Sequence, residues 1–491
     1  MPPTRGKRSA PAAADTPQKV SKIKDNTAPT RFSGRHPLGK CQPPVPKKNG
    51  FNFARADGDI RLLGGACSEV LGGANLAKLL EDGFDMEVRA MKAMKKDQPA
   101  EVLSLHTSAG VPVQLDGFFE ALAPHVAFGG GDDWCCNLQA EGGSAVHAAV
   151  DMCLQAFGPA DLSAEGARTR LACGASSYHG PASTSPGGAT PLGAIAKGLT
   201  HTARYPVPSP FFRKAGETEA KFHTRMLGEF KSYLGKYGPE LGVLLIEPQW
   251  GSSVAAMPWP PALLRSYISE AKKAGLSVIV DEIMCGLGRH GAEPAPGGTG
   301  CFLSECWDLK PDCVTFGKAI AGGAGHVMSG AVLLHGASKL SSTKQGTAFQ
   351  SHTYAGSSAR ALANGTALLK SLPTWRKSVV AVGAALTPVL AELNKASKGA
   401  VIAHGQGCMW GGIFAHTDAA QRATANAHFK KLCGEKKVLP YFVPVGGFML
   451  TPRYDDSPTE FASAVKDMAD CALATVKHMG WNAKDLVPAF K

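Results

Sequence analysis

Three observations predict an α/β fold for this chain, with a mainly parallel sheet covered by helices and a smaller α+β unit after it. The 491 residues are 44% hydrophobic, enough for a large core divided into two or three structural units. From about Val126 onward, short β-branched runs alternate with helix-length segments, as parallel strands with crossover helices require. Beyond Pro373 that alternation stops, and helix-length segments flank a single run near Val401.

Taken in order, Glu141–Phe157 reads as a helix and Leu241–Ile246 as a fully buried strand. Pro261–Ala274 is a helix with proline in its first turn, an apolar face through Leu263, Leu264, Tyr267 and Ile268, and Gly275 as its stop. Leu276–Val280, Asp312–Phe316 and Ser329–Leu334 are strands. Ala359–Leu372 is a helix that precedes Pro373, followed by a helix over Val379–Leu393, a strand near Val401 and a helix over Asp418–Leu432. No internal repeat is visible.

The net charge of +12 is concentrated at one end: residues 1–50 hold eleven Lys/Arg against Asp15 and Asp25, a net of +9, leaving +3 for the rest. This Pro-, Ala- and Lys-rich stretch has almost no large apolar residues to offset its ordering entropy, so residues 1–49 are expected to form a disordered basic extension. Its acid-poor composition suits an organelle address, and Arg5-Gly-Lys-Arg8 a nuclear one, although many prolines oppose a presequence helix. A mildly basic remainder gives no reason to expect nucleic acid as a partner. Thirteen cysteines without CxxC spacing, and no apolar leader, point to a reducing intracellular setting, cytoplasmic or, through the extension, mitochondrial or plastid. The longest weakly polar stretch, Phe316–Gly336, contains Lys318, His326 and many glycines, so no membrane span is expected. GxSxG, HExxH and clustered His/Cys patterns are absent from the sequence, and no metal site is expected.

Two strand ends carry the chemistry. Asp281 closes Val278-Ile-Val-Asp281, and Lys318, 37 residues later, follows Cys313-Val-Thr-Phe-Gly317. Neighbouring strand ends of this kind deliver an acid and an amine to one cavity. Alone, Lys318 reads as an exposed lysine and Asp281-Glu282 as a solvated pair. Their small and apolar neighbours argue otherwise, because they would desolvate the amine and leave a carboxylate in need of a partner. Pyridoxal phosphate needs both groups: an amine to form a Schiff base with its aldehyde, and a carboxylate to keep its ring nitrogen protonated so that the ring acts as an electron sink. These motifs resemble the class III pyridoxal-phosphate aminotransferases of fold type I, with the nearest motif likeness to ω-amine transaminases, over roughly residues 50–460.

The resemblance implies further assignments. Residues 50–100 would pack with 373–491 as a small domain beside a large cofactor domain spanning 101–372. Ile283 would pack on one face of the cofactor ring and Tyr178, in Ser177-Tyr-His-Gly180, on the other, with His179 a core or surface histidine. Backbone N–H groups of Gln139 and Ala140 would hold the phosphate before a helix, although Leu138 and Gln139 replace the family's Ser and Gly. Glu247 would sit near the phenolic side of the ring. Thr353, in Phe349-Gln-Ser-His-Thr353, would reach the partner's phosphate in a homodimer with composite sites; read locally, it is a hydroxyl capping the helix from Ala359. Arg289 is expected to hold loop carbonyls.

The expected carboxylate forks of α-amino-acid transaminases are missing: Pro181 and Met449 stand at the approximate arginine positions, and Ser252 replaces the gating glutamate. The resemblance therefore implies a ping-pong aminotransferase moving an amino group from an amine or ω-amino donor to a keto acid or aldehyde. Trp250 would form an apolar wall, and Arg453 a displaced carboxylate partner. The competing readings are an intramolecular aminomutase or racemase on the same scaffold, and a non-catalytic binding or scaffold protein.

Overall fold

The computed structural model describes residues 61–93 except 66, 114–181 except 161, 163 and 175, 205–322 except 209–212 and 215, 328–340, and 358–487. The first half contains β1 (Arg61–Leu62), α1 (Gly73–Ala93), α2 (Gln114–Val126), β2 (Cys135–Gln139), α3 (Gly142–Phe157), β3 (Arg170–Gly174), β4 (Tyr205–Val207), α4 (Glu219–Tyr237) and β5 (Leu241–Ile246). Then follow α5 (Pro261–Lys273), β6 (Ser277–Asp281), α6 (Leu303–Cys306), β7 (Cys313–Phe316), β8 (Ser329–Leu333) and α7 (Ala359–Ala396). The chain continues with β9 (Val401–Gln406), β10 (Met409–Phe414), α8 (Ala419–Glu435), β11 (Val438–Leu439), β12 (Tyr441–Phe442), β13 (Gly447–Leu450) and α9 (Pro458–Met479).

Seven strands form the central sheet in the order β2-β8-β7-β6-β5-β3-β4. β3 to β7 pair in parallel, while β8 runs against both β7 and β2. The strands β5 to β8 are buried at every position, as near-continuous apolar runs between two helical layers must be. On one face α3 covers the sheet with Val146, Ala149, Val150 and Cys153 against Leu171, Val243, Ile279 and Cys313. On the other, α5 contributes Leu263, Leu264, Tyr267 and Ile268, and Pro261 opens its first turn as expected.

A four-stranded antiparallel sheet, β12-β13-β10-β9, is built by residues 401–450. β1 pairs in parallel with β11, and the Thr451 N–H donates to the Leu63 carbonyl at 2.9 Å, so the segment near residue 61 is stitched to the C-terminal region.

One element departs from the reading of two helices around Pro373. α7 is a single 38-residue helix with Pro373 and Pro388 inside it. Proline removes one intrahelical hydrogen bond, but buried leucines on either side, from Leu362 to Leu372 and from Leu386 to Leu393, hold both halves to the core. By length and composition α7 could cross a bilayer; here it packs along α1, α2, α9 and β9.

Candidate active site

All the parallel strands end at one rim, and that is where the polar groups gather, as in other open α/β sheets. Glu247 follows β5, Asp281 ends β6, Lys318 follows β7, and Tyr178 and His179 lie just beyond β3. Because β8 is reversed, its first residue, Ser329, reaches the same rim, pairing with Gln139 at the end of β2. These groups, other than Gln139, line one cavity of about 480 Å³.

Lys318 opens a short 3-10 turn with φ +44°, a left-handed conformation that costs a non-glycine residue about 1–2 kcal/mol. Burial pushes its amine below the usual lysine range; Cys67, Asp281 and Glu247 pull it up, and Arg289 pushes it down.

Asp281 is 6% exposed and fully engaged by short contacts. Its Oδ1 accepts from the Thr315 hydroxyl at 2.8 Å and from the Ile283 N–H at 3.1 Å, and its Oδ2 lies 2.8 Å from His179 Nδ1. Strand register explains the first contact, since Thr315 of β7 is paired with Asp281. His179 Nε2 is buried with no hydrogen-bond partner among the described residues, and the residue lines the cavity.

Two glutamates flank the aspartate. Burial lifts Glu247 from 4.5 to about 7, His179 lowering it and Asp281 raising it further. Its carboxylate accepts from the Tyr178 N–H at 3.1 Å and the Gly251 N–H at 3.0 Å, joining two loops of the cavity wall. Burial likewise lifts Glu282 to about 7, although its carboxylate accepts from the N–H groups of Leu303 and Ser304 at 2.6 and 2.8 Å.

The start of α3 contributes a further part of the lining. Glu141, Gly142 and Gly143 belong to it, and α3 has no side-chain cap there. Gly142 cannot carry a side chain, because a Cβ would come within 2.9 Å of Ile283 Cδ1. Ile283 and the half-exposed ring of Tyr178 both line the cavity. An amine, a helix start without a side-chain cap, a buried carboxylate and an orphan imidazole nitrogen on one lining fit a flat heteroaromatic ring bearing an aldehyde and a phosphate.

Of the residues named from the sequence, Lys318, Asp281, Tyr178, Glu247 and Ile283 come together here. Gln139 and Ala140 do not. β2 runs on through Gln139, whose Nε2 donates to Asn137 Oδ1 at 2.6 Å, so the turn comes later and the helix-side wall starts at Glu141. Trp250 is not in the lining: its indole N–H donates to Ser177 Oγ at 3.3 Å and its ring stacks on Trp259, with Gly251 to Ser253 taking the cavity position. Arg453 is held away from the lining by Asp456, 2.7 Å from its Nη2. Met449 is buried in β13. Thr353 lies outside the described residues. Arg289, 0% exposed, donates to the carbonyls of Cys67, Glu69, Cys408 and Pro452, the loop-holding role expected for it.

Sequence reasoning missed Glu141 to Gly143, Met284, Ser329, Tyr441 and Pro444. The first three were readable from the helix start; Tyr441 and Pro444 arrive from the second sheet and leave no local signal.

Comparison with known proteins gives one family match, to the family described as Aminotransferase class-III, over residues 91–439. A gamma aminobutyrate transaminase 3, chloroplastic, of Solanum lycopersicum is 30% identical over 171 residues, covering 32% of this chain and 29% of that protein. A vanillin aminotransferase of Capsicum chinense is 28% identical over 132 residues, 24% of this chain and 27% of its own. The matches thus span less than a third of these relatives. In the solved structures, a thermostable omega transaminase mutant from Pseudomonas jessenii superposes with a TM-score of 0.67 at 17% identity, covering 85% of this chain and 88% of that one, which shows a shared fold.

Proposed function

This chain belongs to the class III aminotransferase family, and from that premise we propose that it transfers an amino group from a terminal amine to a keto acid or aldehyde, with pyridoxal phosphate as cofactor. The observation that carries the reading is the meeting of Lys318 and Asp281 in one cavity whose lining also holds a helix start without a side-chain cap.

Bound pyridoxal phosphate supplies an aldehyde that captures amines and a ring that draws electrons from the captured carbon. The chain's own residues do the rest. Lys318 would hold the cofactor through its Nζ, and burial, which lowers the basicity of that amine, favours the unprotonated form that can take a proton from the donor's amine-bearing carbon. Asp281, braced by Thr315 and Ile283, holds the ring-nitrogen proton, and His179 fixes the second carboxylate oxygen. Ile283 and Tyr178 would flank the ring, and the missing side chain of Gly142 lets the start of α3 approach Ile283 closely. The N–H groups of Gly142 and Gly143 take the phosphate, the role first assigned to Gln139 and Ala140.

The relatives' names point to γ-aminobutyrate and vanillin as partners in those proteins. Here Lys318 is the one basic side chain among the described lining residues other than His179, and Arg453 is engaged elsewhere, so a donor recognised mainly through its terminal amine fits best. A homodimer in which Thr353 of the partner subunit completes the phosphate site belongs to the same reading.

The test is amine-to-keto-acid transfer by purified holoenzyme, with borohydride fixing the cofactor and peptide mapping locating it. Label on a lysine other than Lys318, or no transfer from any terminal amine, sinks the reading.

A further inference from the structure

We propose that Glu141 is a resident negative charge at the phosphate end of the cavity, so that this chain holds a phosphorylated cofactor more weakly than the same site with a neutral residue there. The identity of the cofactor rests on the aminotransferase reading; the rest is geometry. Glu141 immediately precedes α3 in extended backbone, φ −146° and ψ 161°, and its side chain caps none of the helix N–H groups. Its Oε1 accepts instead from the Ser144 hydroxyl at 3.2 Å, which keeps the carboxylate beside the helix end and occupies a hydroxyl proton that an anion there would otherwise attract.

The positive end of a 16-residue helix and its uncapped N–H groups therefore share their place on the cavity wall with a carboxylate. The cavity is built for a polar guest on independent grounds: His179 Nε2, buried and without a partner among the described residues, belongs to a residue of the same lining, as does the Lys318 amine. No arginine appears among the described lining residues to offset Glu141. A phosphate dianion settling onto Gly142 and Gly143 meets this charge one residue away along the chain, and like charges there repel. A neutral, unphosphorylated aldehyde does not.

That contrast supplies the test. Full-length protein stripped of cofactor is titrated with pyridoxal phosphate, with unphosphorylated pyridoxal and with inorganic phosphate, for wild type, Glu141→Gln and Glu141→Ser. Glu141 is exposed, so neither change disturbs the core. Both variants should bind pyridoxal phosphate and inorganic phosphate at least about tenfold more tightly, with pyridoxal affinity unchanged. Equal or weaker phosphate binding in both variants overturns the proposal, as does an equal gain for pyridoxal. Failure of the aminotransferase reading looks different: neither aldehyde is trapped on Lys318 in any of the three proteins, while inorganic phosphate still reports on Glu141.

Discussion

At the scale of single residues, the strain at Lys318 and the bracing of Asp281 lead to separable expectations. Lys318→Ala should abolish transfer and borohydride-trapped cofactor while leaving the melting temperature nearly unchanged, because the side chain works at a rim and contributes little to the core. Asp281→Asn should keep some cofactor and lose at least about hundredfold in kcat, since a neutral amide cannot hold the ring-nitrogen proton. Wild-type turnover in that variant would reassign the carboxylate to structure. Glu247 and Glu282 set a pH dependence. Both are raised from 4.5 to about 7 in the folded chain, so the folded state binds more protons than the unfolded one between those values. Their contribution to the stability of the cofactor-free protein falls as pH rises from about 4.5 to 7, while buried His290 and His404, lowered from 6.5 to about 3 and about 4, contribute the opposite slope over much of that range, so thermal melts of wild type and a glutamate variant are compared. Glu282→Gln should flatten that fall. The lysine and aspartate were legible because each sits in a short motif at a strand end. Gln139 and Ala140, read as the phosphate turn, lie at and just past the end of β2 and outside the cavity lining, because nothing local marks how far β2 runs before it turns.

At the scale of elements, β5 to β8 of the central sheet were legible to within a residue or two, since a strand buried on both faces needs an unbroken apolar run and has few alternatives, whereas β2, β3 and β4 were not read as strands. α7 was not legible as one helix, because proline at position 373 reads as a break and only tertiary packing keeps the helix whole. The sequence also hid how the second sheet touches the cavity loops. Gly411 in β10 lies so close to the loop after β5 that a Cβ would come within 1.9 Å of the Ala255 carbonyl oxygen. Gly411→Ala must move that backbone, which adjoins the cavity residues Gly251 to Ser253. We expect a loss of about 1–3 kcal/mol in stability and weaker cofactor retention, read by denaturant melts and dialysis. An unchanged midpoint would mean that the two sheets adjust independently.

At the scale of the whole molecule, the proposed homodimer with composite sites makes its own forecast. Lys318→Ala and Thr353→Ala proteins, each impaired under limiting cofactor, should regain activity when mixed under subunit exchange, because one site of the heterodimer then carries both defects and the other neither. No gain despite verified exchange would place Thr353 in its own chain's site. Removing residues 1–45 should leave specific activity intact, and fusing residues 1–50 to a fluorescent reporter tests whether they carry an organelle address. The sheet order has a further consequence, in the time domain of synthesis. Among the described residues β2 sits at one edge of the central sheet with β8 as its neighbour, yet Leu333, the end of β8, is made 194 residues after Gln139. At about 5–20 residues per second, a ribosome takes roughly 10–40 s to cover that interval. For that time β2 waits without the strand it pairs with, so this edge of the sheet and the cavity wall it carries are among the last parts of the fold to assemble.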